Sequence, residues 1–477
     1  WGAAHDTYEA AMYGLDIEMG SYTNGLTSES EFGYDDYYLG KNYLQMVKDG
    51  KIPMEVVNEK AARVLRLIFR TAMNREKPFG SITSEEHYKT AYNIATEGIV
   101  LLKNKSSKKV PALLPIDMNK YNKVLVVGDN AVRNLMAGGG SSELKPKLVV
   151  TPLDALKKEF GTKIEFAQGY MAGRPMYGNE EVIPQSTMDS LRNDAVQKAG
   201  KADLVIFIGG LNKNHFQDCE GGDRKIFGLP FGQDELIEEM MKVNKNIVVV
   251  ITSGNAVEMP WEKEVPSIVQ SWYLGSIGGT ALADVLTGKV NPSGKLPFSY
   301  PVKLEDCPAH YYGEMSYPGD SIKQEYKEDI LVGYRWYDTK NIKPLYSFGH
   351  GISYTTYAYS KPSISGKSIS ENGELTISVK VKNTGKVKGQ EIVQLYIGDE
   401  KCSLLRPEKE LKGFCKVELA PNEEKEVNFT INANDLKFFD DNKQKWIAEP
   451  GIFKAYIAAS SEDIRGVVVF EYSNIKL

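Results

Sequence analysis

The densest group of chemistry-bearing side chains in the sequence is Cys219-Glu220-Gly221-Gly222-Asp223-Arg224. A glutamate beside two glycines can project without steric neighbours while its backbone bends closely around a ligand, which suits proton transfer by a carboxyl group carried on a loop. Asp223 and Arg224 read either as a surface ion pair or as a brace for that loop, and spacing does not separate the two. His215 lies five residues before Glu220, where it either lines a polar site or simply occupies a loop position. The second group is Gly138-Gly139-Gly140-Ser141-Ser142. It has no Gly-Lys-Ser/Thr and no helix opening at its end, so it reads as a flexible or substrate-facing loop rather than a phosphate cradle. The five histidines (His5, His87, His215, His310, His350) lack metal-ligand spacing, and no serine nucleophile elbow is present. The four cysteines (Cys219, Cys307, Cys402, Cys415) form no C-x-x-C pair; a Cys402–Cys415 disulfide stays open, and no metal or cofactor is implied. Asp16 and Glu18, two apart, define no site by themselves.

Both chemical groups need strands to hold them. Glu220 follows an apolar run ending at Gly209-Gly210 by about ten residues, and the glycine-rich loop follows Val124-Leu125-Val126-Val127-Gly128. In open α/β sheets, loops past the carboxyl ends of strands carry ligand sites. From residue 76 to 310, apolar β-branched runs at Val124–Val127, Leu204–Ile208, Ile247–Ile251 and Ile268–Trp272 alternate with helical patterns at Leu153–Phe160, Met188–Ala199, Asp234–Val243 and Thr280–Leu286. That alternation predicts buried parallel strands in a wound α/β sandwich. Residues 1–75 read as helical with no sheet of their own, as the end of an α/β barrel would. Residues 311–365, rich in Tyr, Pro and Gly, read as a structured connector. Residues 366–477 carry short alternating strands at Leu375–Val381, Ile392–Ile397, Leu411–Leu419, Val427–Ile431 and Phe453–Ala458, split by Asn-Thr-Gly, Pro-Asn and Pro-Gly turns, which predicts a β-sandwich.

Composition narrows the partners. A net charge of −5 over 477 residues argues against nucleic acid or an anionic membrane as the main partner, and the apolar runs have strand length, far short of a membrane span. Aromatic content of 10%, with 27 Tyr and 5 Trp, suits a sugar-facing surface and strand filling equally.

Ordered motifs resemble one family. Trp1-Gly2-Ala3 through Gly14-Leu15-Asp16-Ile17-Glu18-Met19 looks like the family 3 glycoside hydrolase segment in which Ser-Asp-Trp-Gly precedes Ala-Gly-Leu-Asp-x-x-Met. Ala95-Thr96-Glu97-Gly98 to Lys103-Asn104, the Gly138–Ser141 loop, Asn291-Pro292-Ser293-Gly294-Lys295-Leu296-Pro297, Val332-Gly333-Tyr334-Arg335, Phe348-Gly349-His350-Gly351 to Thr355, and Asn383-Thr384-Gly385 to Gln394-Leu395-Tyr396 are similar in order. The resemblance implies a partial (β/α) barrel end, a parallel α/β sandwich and a C-terminal fibronectin-III-like β-sandwich. It implies a retaining, exo-acting β-glucosidase that hydrolyses terminal β-D-glucosyl residues of a β-linked oligosaccharide or glucoside. Glu220 would be the general acid/base, its pKa raised by burial and a negative neighbour. The attacking aspartate would immediately precede Trp1, so the N-terminal barrel portion would lie outside this sequence and the chain alone would be inactive. Trp1 would form an apolar wall for the sugar, Ser141 and His215 would contact substrate, and Asp223 with Arg224 would brace the acid/base loop. A β-xylosidase or a non-catalytic carbohydrate-binding scaffold are the alternatives; the Glu220 loop argues against a β-N-acetylhexosaminidase. Family analogy suggests a periplasmic or secreted location and leaves homo-oligomerisation open.

Overall fold

The computed structural model describes residues 4–18, 37–77, 80–105, 112–173, 181–214, 216–220 and 224–473, excepting the Ser141 side chain. Two compact units divide the chain, residues 1–82 and 83–477.

The first unit contains α1 (Thr7–Met12), α2 (Lys41–Lys48) and α3 (Met54–Arg70). Asp6 caps α1 by accepting a hydrogen bond from the Glu9 amide. The Asp16/Glu18 pair has structural partners here. Asp16 accepts from Arg63 of α3 at 2.8 Å, a bond that holds its carboxyl below the usual range, and Glu18 accepts from the Leu39 amide at 2.9 Å. Lys60, buried on α3, donates to the Leu15 carbonyl. No helix among the described residues is long and apolar enough to cross a membrane.

The second unit opens with α4 (Glu85–Gly98), capped by Ser84, and then builds one sheet from β1 (Val100–Asn104), β2 (Val124–Val127), β3 (Ile164–Ala167), β4 (Leu204–Gly210), β5 (Ile247–Thr252) and β6 (Ser267–Gln270). The strand order is β1-β6-β5-β4-β2-β3. Helices α5 (Pro152–Phe160), α6 (Gln185–Ala199), α7 (Gln233–Val243) and α8 (Gly278–Leu286) fill the connections. Strand residues alternate between two cores, as the two-residue period requires. Val205, Phe207, Val249 and Ile251 pack with Ala195, Leu236 and Met240 of α6 and α7. Leu204, Ile206, Ile208, Val248 and Val250 pack with Leu156, Leu282 and Leu286 of α5 and α8. Covering both faces is what makes the central strands continuous apolar runs, each fully buried branched side chain contributing about 1.5–3 kcal/mol. The expectation of a wholly parallel sheet needs one correction, because β1 runs antiparallel to β6. The chain reaches β1 directly from α4 with no crossover to impose the parallel direction.

Residues 311–365 are more closely tied to the sheet than a spacer would be. They carry α9, which begins just before them (Pro308–Tyr311), and α10 (Tyr334–Lys340), whose buried Trp336 meets Tyr311 and Tyr312 edge-on. The Leu296 amide donates to the His350 carbonyl and its carbonyl accepts from Gly349, the Tyr300 amide donates to the Tyr346 carbonyl and its carbonyl accepts from Leu345, all at 2.8 Å, and the Ile352 amide donates to Leu101 of β1.

The sandwich contains β7 (Tyr357–Tyr359), β8 (Ser363–Ile364), β9 (Ser368–Ile369), β10 (Glu374–Asn383), β11 (Gly389–Asp399), β12 (Glu410–Leu419), β13 (Glu424–Asn432), β16 (Gly451–Ala458) and β17 (Ile464–Tyr472). One sheet is β13-β10-β7 with β8 beside β10; the other is β12-β11-β16-β17-β9. Ile377, Val379 and Val381 face Val393, Leu395, Phe453 and Phe470 across the core. A short helix, α11 (Ala433–Leu436), leads into a separate hairpin of β14 (Phe438–Asp440) and β15 (Lys445–Ile447). The Asn-Pro-Ser-Gly-Lys motif fastens the two domains. Asn291 donates to the Lys388 carbonyl, Ser293 to Gln390, and Lys295 pairs with Glu391 of β11 at 3.1 Å in a nearly buried position. All four cysteines are free, which closes the Cys402–Cys415 alternative.

Candidate active site

Strands β2, β4, β5 and β6 are parallel, so the loops that follow them emerge at one edge of the sheet. The loop after β4 is started by glycine. Gly210 has φ +115°, and a Cβ there would lie 2.2 Å from the Thr252 carbonyl oxygen. Buried Gln233 clamps this exit by accepting from the Gly210 amide at 2.8 Å and donating to the Gly210 and Pro230 carbonyls. Asn212 and Asn214 turn the chain inside the protein, with the Asn214 amide donating to Asn212 Oδ1 and the Asp218 amide to the Asn212 carbonyl.

Asp218 is the hub that sequence reading missed. Its carboxylate accepts from the Gly254 amide at 2.7 Å, the Tyr273 hydroxyl at 2.9 Å and Asn255 Nδ2 at 3.4 Å, tying the β4 loop to those after β5 and β6. Its carbonyl accepts from the Gly139 amide at 3.2 Å, which brings in the loop after β2. Tyr273, half-buried at the cavity wall, has its hydroxyl pKa pushed up by burial and then by the Asp218 charge, so it acts as a neutral donor. The useful sequence signal was positional: Ser253-Gly254-Asn255 and Trp272-Tyr273 both follow apolar strands.

The triglycine loop closes over Glu220. A Cβ on Gly139 would meet the Lys213 carbonyl oxygen at 2.7 Å and Cys219 Sγ at 2.9 Å. A Cβ on Gly140, at φ +78°, would meet Glu220 Cβ at 2.3 Å and its Oε2 at 2.8 Å. Glycine here is therefore demanded both by backbone conformation and by the close approach of Glu220. Lys213 and Glu143 add an ion pair of 2.6 Å across the same junction. Cys219 is no ready nucleophile, because burial and then the Glu220 carboxylate raise its thiol pKa.

Several expected site residues can now be placed. Glu220 stands at this junction, but its side chain is exposed, so this chain does not bury it as expected. Arg224 is largely buried; it donates to the Ala256 carbonyl at 2.7 Å and lies within the field of Asp218. Burial lowers its pKa and the Asp218 charge opposes that shift. Ser141 lies in a single turn, Gly140–Ser142. Trp1, His215 and Asp223 lie outside the described residues, as does the Ser141 side chain.

Beside the loop is a cavity of about 590 Å³, lined by Asp218, Cys219, Arg224, Asn255, Tyr273 and His310 among others. Its size and mixed lining suit a small polar ligand. Among the described residues no group of three or more His, Cys, Asp or Glu could hold a metal ion. The arrangement can donate and accept protons at a carboxyl group beside a polar cavity, with its loop held by hydrogen bonds to three others.

Fold and site together define a class: a doubly covered α/β domain with a carboxyl group at its strand-end loops, joined to a fibronectin-III-like sandwich. Residues 99–354 match the glycosyl hydrolase family 3 C-terminal domain and residues 391–461 a fibronectin type III-like domain. The chain belongs to glycosyl hydrolase family 3. It is 75% identical over 472 residues to the β-glucosidase BoGH3A of Bacteroides ovatus, covering 99% of this chain and 63% of that protein. It is 38% identical to the thermostable β-glucosidase B of Acetivibrio thermocellus, covering 97% of this chain and 57% of that one. Among solved structures it is similar to DesR, a β-glucosidase from Streptomyces venezuelae in complex with D-glucose, with TM-score 0.85, 26% identity and coverage of 99% and 71%. The chain thus spans about three fifths of the length of the curated relatives it matches.

Proposed function

We propose that this chain supplies the acid/base side of a retaining β-glucosidase site acting on terminal β-D-glucosyl residues. The observation that carries the reading is the seat of Glu220, held between the triglycine loop and the Asp218 hub at the carboxyl ends of the strands. Two carboxyl groups about 5 Å apart are needed for retention. In this reading the aspartate of the family's Ser-Asp-Trp-Gly motif attacks the anomeric carbon while Glu220 donates its proton to the departing glycosidic oxygen. Glu220, now a carboxylate, then takes a proton from the water that attacks the glycosyl-enzyme, and the aspartate leaves. Arg224 and Asp218 position the loop through their bonds to the Ala256 carbonyl and to Gly254 and Tyr273. The names of the relatives and the glucose in the DesR structure favour glucosides over xylosides.

The test grafts this chain in place of the matching segment of the Bacteroides ovatus relative and measures glucoside hydrolysis. Glu220→Ala should lower kcat on an unactivated β-glucoside by about 10²–10⁴-fold, the range of general acid–base catalysis. Added azide, which needs no base, should restore turnover of an aryl β-glucoside and yield the β-glucosyl azide. Unchanged turnover in Glu220→Ala would remove Glu220 from the mechanism.

A further inference from the structure

A second cavity, of about 580 Å³, lies far along the chain from the Glu220 loop, between the residues before α10 and the β14–β15 hairpin. The hairpin belongs to neither sandwich sheet, and its aromatic side chains Phe438, Phe439 and Trp446 do not enter the sandwich core. Trp446 is 66% exposed and Phe439 41%, and they meet edge to face with centroids 5.8 Å apart. An indole so exposed keeps a free face beside the cavity. Beneath it the floor is rigid: Arg406 donates to Asp399, Glu410 and the Leu436 carbonyl, and its guanidinium lies 5.2 Å from the centre of the Phe438 ring. The lining also includes exposed Asp329 and Asp441, and the Asp441 carboxylate takes no hydrogen bond or ion pair from the described residues. Arg335 lies alongside, 3.6 Å from Glu410.

The chemistry of this lining selects a ligand class. An aromatic face offers stacking to the C–H face of a pyranose, and carboxylates accept from hydroxyl groups. Each of the four cations on the lining is already engaged, Arg406 with Asp399 and Glu410, Arg335 and Lys412 with Glu410, and Lys437 with Glu371, while the two exposed carboxylates disfavour an anionic ligand. The volume falls within the roughly 300–1,000 Å³ of small-molecule sites, and the braced floor needs little ordering on binding. We infer that this groove binds a neutral oligosaccharide or polysaccharide chain, independently of the Glu220 site.

The test is native affinity electrophoresis of the 477-residue chain in gels containing soluble neutral β-glucan, with polygalacturonate as the anionic comparison. Retardation by the neutral glycan is expected, falling by about tenfold in apparent affinity in Trp446→Ala, the loss of one stacking contact. Asp441→Ala, an exposed substitution, should weaken it without altering the fold, and circular dichroism melting checks both variants. Glu220→Gln should be retarded like the parent chain, which separates this groove from the proposed catalytic site. No retardation, stronger retardation by polygalacturonate, or retardation unchanged in Trp446→Ala overturns the inference. So does a Trp446→Ala shift in oligomeric state by ultracentrifugation, which would make the hairpin a contact between copies of the chain.

Discussion

Asp218→Ala tests whether one carboxylate holds the strand-end loops together. The substitution removes hydrogen bonds from the Gly254 amide at 2.7 Å and the Tyr273 hydroxyl at 2.9 Å; the Asn255 contact at 3.4 Å is too long to count for much. Bonds to a charged acceptor contribute about 1.5–3 kcal/mol each, and because Asp218 is partly exposed the lower end applies, giving about 3 kcal/mol for the pair. The Tyr273 hydroxyl is also left without this acceptor, and Arg224 loses the anion that offsets its burial. The loss should appear as local opening of the loops while the sheet stays folded. Hydrogen–deuterium exchange read at single residues measures it directly. The Gly254 amide should lose protection by about 100-fold, the equivalent of about 3 kcal/mol. The Leu211 amide, bonded at 2.7 Å to the Thr252 carbonyl beside the strands, serves as the internal control and should change little. Asp218→Asn should be milder, since its amide oxygen can still accept from Gly254 and its NH₂ can donate to a turned Tyr273 hydroxyl. Unchanged exchange at Gly254 would refute the reasoning, and so would an equal loss at Leu211, which would indicate global destabilisation.

Gly140→Ala should push Glu220 out of place. In the graft described above, kcat is expected to fall by up to about 10²-fold, the effect of an ångström-scale misplacement of a catalytic group. Gly161→Ala imposes a similar backbone strain at φ +60° with nothing within 4 Å of its new methyl, so equal losses of kcat in both would show that strain alone is responsible. Burial lifts the Asp234 carboxyl from 3.8 to about 6, although its oxygens accept from Trp261 Nε1 at 2.7 Å and the Leu229 amide at 2.9 Å. The folded state then holds a proton that the unfolded state releases, so this contribution to stability is complete below pH 4 and is lost as pH rises through 6. Urea unfolding should show a fall of about 3 kcal/mol across that window, absent in Asp234→Asn; identical pH slopes would exclude Asp234 as the source.

The central strands were legible because a sheet covered on both faces writes itself as unbroken apolar runs, and Leu204–Gly210 and Ile247–Thr252 are buried throughout. β3 was not, because Ile164–Ala167 is a half-buried edge strand containing Glu165. The antiparallel direction of β1 is a property of its pairing with β6, which no local pattern in Val100–Asn104 encodes. β17 was passed over because its outward residues are themselves apolar, with Val467 and Val469 exposed, so alternation is hidden. At the site, the glutamate could be singled out by its glycine neighbours and the family motif. Asp218, two residues away, could not, since its partners Gly254 and Tyr273 lie 36 and 55 residues downstream and meet it only when the strands align.

The Asn291–Lys295 fastening has an implication for how this protein can be cut and recombined. The segment that grips β11 leads directly into residues 296–300, which pair with 345–350, and Ile352 closes on the edge strand β1. The sandwich is thus a keystone set into the rim of the α/β sheet rather than a pendant module. A boundary drawn between them on sequence spacing alone would sever a shared hydrogen-bonded seam and strand Lys295 beside a missing Glu391. Interchange with other family members should succeed when the seam travels whole, carrying residues 291–300, 345–352 and the start of β11 as one unit.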